Sequence, residues 1–183
     1  MALRTWMRPG SGGTALAVAV LLFAPTALAA KVSLLNLGTG PDDVVISPGV
    51  LGTLSTRPGG SVTSLGAELS IYKSIPESRI PASTVGAFMQ WQRVGSDHHR
   101  FSGGIQAGAL IFGMELGGTY ETAGEERAAT ASLHLAPYVS IGYVALSVRF
   151  GIPVWTRGDD RPGHGHDIGL SLALKLPITV GPD

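Results

Sequence analysis

The stretch DIGLSLALKLPI, Asp167 to Ile178, places a large apolar residue at every second position: Ile168, Leu170, Leu172, Leu174, Leu176 and Ile178. Gly169, Ser171, Ala173, Lys175 and Pro177 fill the positions between them. Successive side chains of a strand point to opposite faces, so this spacing dictates one bulky apolar face and one face of small or polar groups. The segment from Val144 to Val154 repeats the scheme, with Leu146, Val148, Phe150 and Ile152 on the apolar side and Ser147, Arg149 and Gly151 opposite.

Working outward, the same alternation, broken by Pro, Gly, Asp and His clusters, predicts eight strands over residues 44–56, 63–75, 84–95, 100–110, 113–122, 129–141, 144–155 and 167–178. Helical periodicity is absent after the amino-terminal segment. A two-residue turn at Gly142-Tyr143 pairs Ile141 with Val144 on the apolar face, and glycine first suits a type II′ hairpin. The run from Arg100 to Thr122 is too long for one ordinary strand and divides near Ile111-Phe112, although neither residue favours a turn.

Composition decides which face meets which solvent. Of 183 residues 26 are glycine, about twice average usage, while charged residues at 14% fall well below the usual quarter. A soluble barrel buries its bulky face and shows water a face rich in Lys and Glu. Here the second face is mostly Gly, Ser, Ala and Thr, and lysine occurs only at Lys31, Lys73 and Lys175. The bulky face therefore turns toward lipid and the small, polar face inward, where eight strands leave room only for side chains. Within lipid every backbone group must be paired, so the sheet closes on itself. The absence of cysteine excludes disulfide scaffolds, Cys-ligated metal sites and cysteine nucleophiles.

The amino terminus reads as targeting. Arg4 and Arg8 precede the apolar run TALAVAVLLFA (Thr14 to Ala24), and Ala27-Leu28-Ala29 supplies a small-x-small cleavage pattern. The expected organisation is a signal peptide over 1–29, a periplasmic lead-in over 30–43 and a β-barrel domain over 44–183. Cleavage removes two of 13 basic residues, leaving 11 against 13 acidic ones, a net of −2 that suggests no nucleic-acid partner.

In architecture, the segment from Val44 to Ile178 resembles the small eight-stranded outer-membrane barrels of the OmpA and OmpX kind, on pattern and not on a family motif. The resemblance implies an all-β, antiparallel, up-and-down barrel in a Gram-negative-type outer membrane, with both chain ends in the periplasm. It also implies outer-membrane lipid and the barrel-assembly machinery as partners. Such barrels commonly end on an aromatic residue read by that machinery, whereas Thr179-Val180-Gly181-Pro182-Asp183 follows the last strand here.

Alternation sends Glu68, Glu115, His134, Arg149 and Lys175 inward, with Gln90, Gln92 and Gln106 among them. Two acids and two bases in a narrow lumen form a salt-bridged plug that closes it to solutes; a gated polar path is the functional alternative. His98 and His99 in one connection and His164 and His166 in another fall at the same end of the barrel. They could hold zinc or copper between them, or be solvated turn residues. Ser132, His134 and Glu115 could be nominated as nucleophile, base and orienter of a lipid hydrolase, but they point into the barrel. Trp91, Tyr120, Tyr143 and Trp155 fall near strand ends, where aromatic rings sit at a membrane interface. The function expected is that of a non-catalytic outer-membrane barrel without a cofactor, structural or engaged in contacts with a surface partner. A lipid-modifying hydrolase and a secreted soluble barrel with a small ligand are the alternatives.

Overall fold

The computed structural model describes residues 44–75, 82–158 and 160–180. The expected signal peptide, the lead-in and most of the 76–83 connection lie outside them. The strands are β1 (Val44–Arg57), β2 (Gly60–Ser74), β3 (Thr84–Val94), β4 (His98–Ala109), β5 (Phe112–Glu121), β6 (Thr130–Ile141), β7 (Val144–Thr156), β8 (Asp167–Lys175) and β9 (Ile178–Val180).

Each strand pairs antiparallel with the next, and β8 returns to β1, so the sheet closes. Pro177 interrupts the last strand; beyond it β9 resumes on the same neighbour, with Val44 opposite Val180. The wall is thus an eight-stranded up-and-down barrel, and all eight expected strands are present with ends displaced by no more than three residues. Full closure leaves no unpaired edge among these strands.

Two hairpins test the expected turns. Gly142 adopts φ +59 and brings Ile141 opposite Val144, as the alternation requires. Between β4 and β5 the turn is Leu110-Ile111, one residue earlier than expected, and Leu110 itself holds φ +57. The resulting register sets Gly103-Gly104 opposite Gly118-Gly117. A Cβ on Gly104 would come within 2.1 Å of the Leu116 carbonyl oxygen, and one on Gly117 equally close to that of Gly103. Gly104 and Gly117 stand opposite each other with no room for a Cβ on either, and the wall keeps this register although the turn sequence is poor.

The two faces separate by chemistry. Outward side chains are mostly apolar on every strand, forming cross-strand rows such as Val148–Leu170–Leu54 and Leu146–Leu172–Gly52. Another row runs Trp91–Phe101–Tyr120–Ala131–Trp155 across β3 to β7, close to the end that carries the longer connections. Inward side chains are mostly small, polar or charged, with Phe88 among them, and the contiguous apolar cluster among the described residues is Leu51, Ala145 and Ala173.

A methyl group at Gly104 collides with main chain, which cannot rotate away. Gly104→Ala is expected to lower stability by about 1–3 kcal/mol, read as a drop in the urea midpoint of the refolded barrel. An unchanged midpoint would show that the wall tolerates separation at this pair.

Candidate functional site

Alternation along eight strands delivers four acids and four permanent bases to one narrow lumen. They sort into two layers. Near the tight hairpins, Lys175 of β8 forms an ion pair with Glu68 of β2. Ser70 donates its hydroxyl to Glu68 at 2.7 Å, and the Gln90 amide bridges Glu68 and Glu115 at 3.2 Å each. His134 Nε2 lies 3.2 Å from Glu115 Oε2 and its ring packs on Phe88. The void left among these groups is about 10 Å³, the threshold for a single water.

The second layer lies at the opposite, loop-bearing end. Arg57 clamps Glu121 with both terminal nitrogens at 2.8 Å, and Arg100 Nε adds a third contact at 2.8 Å. Asp167 faces Arg57 Nε at 3.3 Å, Arg100 Nη2 at 3.1 Å and Arg149 Nε at 3.2 Å. Arg149 also donates to Thr119 at 2.9 Å. Between the layers, Gln92 donates to Thr53 and Ser64, and Ser102 bonds Thr119.

All five residues expected in the lumen are there, but they do not form one network. Arg149 pairs with Asp167, and Arg57, Arg100, Glu121 and Asp167 complete a balance larger than expected. Each of these four keeps the inward parity of its strand: Arg57 follows Thr53 and Ser55, Glu121 follows Glu115 and Thr119, Arg100 precedes Gln106, and Asp167 precedes Ser171. Carrying the alternation to the last residue of each strand would have found them.

The histidines separate into two inside and two outside. His98 and His164 sit in the mouth with ring centroids 4.4 Å apart. His99 stacks on the outer face against Trp91, and His166 is exposed, so the expected set of four does not assemble. His164 is only 5% exposed because its loop folds back into the barrel. Its backbone N–H donates to Thr130 Oγ1 at 3.0 Å and its Nε2 to the Thr122 carbonyl at 3.0 Å. Arg127 bonds the carbonyls of Gly163 and Pro58, and Arg161 that of Gly124, lacing the three connections over the mouth.

Around this pair the electrostatics are set by burial, by Glu121 and by Asp97. Desolvation holds the His164 imidazole below its ordinary range, so the ring is neutral at neutral pH. The hydrogen bond from His98 holds the Asp97 carboxyl below the usual carboxylate range, with His98 Nδ1 2.8 Å from Asp97 Oδ1. Gly124 makes room for that carboxylate, since a Cβ there would lie 2.3 Å from Asp97 Oδ2.

Ser132, His134 and Glu115 are not joined as a triad. His134 gives Nε2 to Glu115, and its Nδ1 makes no hydrogen bond. Comparisons of the chain with models of protein families, with curated proteins and with solved structures find no match.

Arg100 is fully buried between Glu121 and Asp167, so removing it strands negative charge where water cannot reach. Arg100→Met is expected to cost about 3–5 kcal/mol, whereas Arg93→Met on the outer face should stay within about 0.5 kcal/mol. Equal urea midpoints for the two variants would deny the layer its structural role.

Proposed function

We propose that this chain is an outer-membrane barrel of a Gram-negative-type bacterium, sealed along its lumen, with a structural or surface-interaction role and no catalysis. The observation that carries the proposal is the outer wall. Leu65, Met89, Ile105, Leu116, Leu133, Ile152 and Leu170, one from each of seven strands, are each about half exposed or more, with Leu54 from the eighth. Soluble monomers rarely leave contiguous apolar patches larger than a few hundred Å² open to water, and here the apolar surface runs round the whole wall. Lipid is the solvent that such a wall suits, and the closed ladder answers the requirement that no backbone group face hydrocarbon unpaired.

Two further features support the reading. Trp91, Phe101, Tyr120 and Trp155 form a row at one level, where aromatic girdles meet the headgroups. The lumen is braced by paired charges in both layers, which favours a plug over a conducting path. Insertion by the barrel-assembly machinery and contact with outer-membrane lipid follow from that placement. Ser132 and His134 lie inside the wall and away from any substrate in the bilayer, so the lipid-hydrolase alternative gains no support from them.

Expression of the chain followed by membrane fractionation tests the location, with heated and unheated samples compared on a gel. Recovery in the outer-membrane pool with a shift on heating is expected; recovery as a soluble species without a shift would overturn it. In planar bilayers the purified barrel should add no stepwise conductance, and steady channel openings would refute the plug.

A further inference from the structure

We propose that His98 Nε2, Glu121 Oε2 and His164 Nδ1 bind a divalent transition-metal ion of the zinc class in the loop-bearing mouth of the barrel. The three atoms come from β4, β5 and the β7–β8 connection and lie within 4.8 Å of one another. The inference stands apart from the membrane proposal, because it depends on the mouth and not on what surrounds the wall.

The argument begins with the protons. The Thr122 carbonyl can only accept, so the hydrogen of His164 is on Nε2 and the lone pair is on Nδ1. The Asp97 carboxylate likewise takes the hydrogen of His98 Nδ1, so Nε2 is the nitrogen turned to Glu121. Burial opposes charge on that ring, but its contacts with Glu121 and Asp97 outweigh it and raise the His98 imidazole above its ordinary range, so an ion entering the site takes the place of a proton on Nε2. His98 Nε2 and His164 Nδ1 both face Glu121 Oε2, each from 3.4 Å. The three ligand atoms converge in the mouth, with Arg57 Nη1 beside two of them. His98 Nε2 is buried without a hydrogen-bond partner, and a metal ion would supply one.

The dimensions suit the ion. Four-coordinate zinc, with bonds to nitrogen and oxygen of about 2.0–2.1 Å, sets neighbouring ligand atoms about 3.4 Å apart. Two of the three edges already have that length, and a tilt of either ring shortens the third. Each imidazole also has the outer partner that metal-bound histidines usually have, a carboxylate for one and a backbone carbonyl for the other. With three protein ligands, the fourth position is left for water or a small ligand.

Arg57 is the competitor. Its Nη1 donates to Glu121 Oε2 at 2.8 Å and lies 3.5 Å from His164 Nδ1. Binding is therefore an exchange in which Nη1 withdraws, while Nη2 keeps Glu121 Oε1 and Nε keeps Asp167. The ion takes over both acceptors that Nη1 leaves.

The test uses the refolded full barrel in detergent, titrated with Zn²⁺ by calorimetry and with Co²⁺ by visible absorption. One equivalent per chain and the intense bands of four-coordinate cobalt are expected. Both should be lost or at least tenfold weaker in His98→Ala and in His164→Ala, and unchanged in the double variant His99→Ala/His166→Ala. No heat and no bands in the wild type, or loss in the His99/His166 variant alone, would overturn the proposal. Should a His98 or His164 variant fail to regain folded gel mobility, X-ray absorption of the zinc-loaded wild type decides. Two imidazoles with carboxylate oxygen support the site, and a shell of water alone refutes it.

Discussion

The clamp of Arg57 on Glu121 joins β1 to β5, strands on opposite sides of an eight-stranded ring. Much of the remaining interior is arranged around that span. With both charges committed to each other across the lumen, neighbouring inward positions must either complete the pairing or be small enough to let it close. Arg100, Arg149 and Asp167 do the first, and Thr53, Ser55 and Ser171 the second. The second brace, Lys175 to Glu68 and on through Gln90 to Glu115, repeats the principle from β8 to β5 at the other end. A barrel with few buried apolar residues thus draws its internal rigidity from paired charges, which are costly to separate once water has been excluded.

The wall and the lumen were not equally legible. Period-two alternation is a local signal, and it placed all eight strands and the inward set Glu68, Glu115, His134, Arg149 and Lys175. It could not say where a strand's influence stops. Arg57, Arg100, Glu121 and Asp167 stand at strand ends, where a charged residue ordinarily faces water. They are buried because Arg127 and Arg161 lace the connections back over the mouth, and those bonds join residues 36 to 69 positions apart. The same long-range folding separates His98 and His164 from His99 and His166, although each pair lies within two residues in the chain. Adjacent strand positions face opposite ways, so His98 and His99 could never have shared an ion from one strand.

The turn between β4 and β5 shows a different limit. Local turn chemistry argues against Leu110-Ile111, and a left-handed leucine costs about 1–2 kcal/mol. The Gly104–Gly117 pair weighs more because its constraint is steric and acts across strands, neither position having room for a Cβ in this register. Register in a barrel is a collective quantity, and one strained residue is a small cost against a misplaced wall.

Charge arithmetic finally explains why the two layers differ in what they can do. In the layer near the hairpins every acid meets a donor: Glu68 has Lys175, Ser70 and Gln90, and Glu115 has Gln90 and His134. Donors and acceptors alternate, and the void is no larger than a water. At the loop end the counterparts of His134 are His98 and His164, whose hydrogens are both drawn outward, to Asp97 and to Thr122. His98 Nε2 and His164 Nδ1 are thereby turned inward onto a carboxylate oxygen. The layer near the hairpins alternates donors and acceptors, whereas the loop-end layer gathers two imidazole nitrogens and a carboxylate oxygen within 4.8 Å beside the Arg57 guanidinium. Of the two ends of this lumen, the loop-bearing one is therefore where the proposed ion would find its ligands.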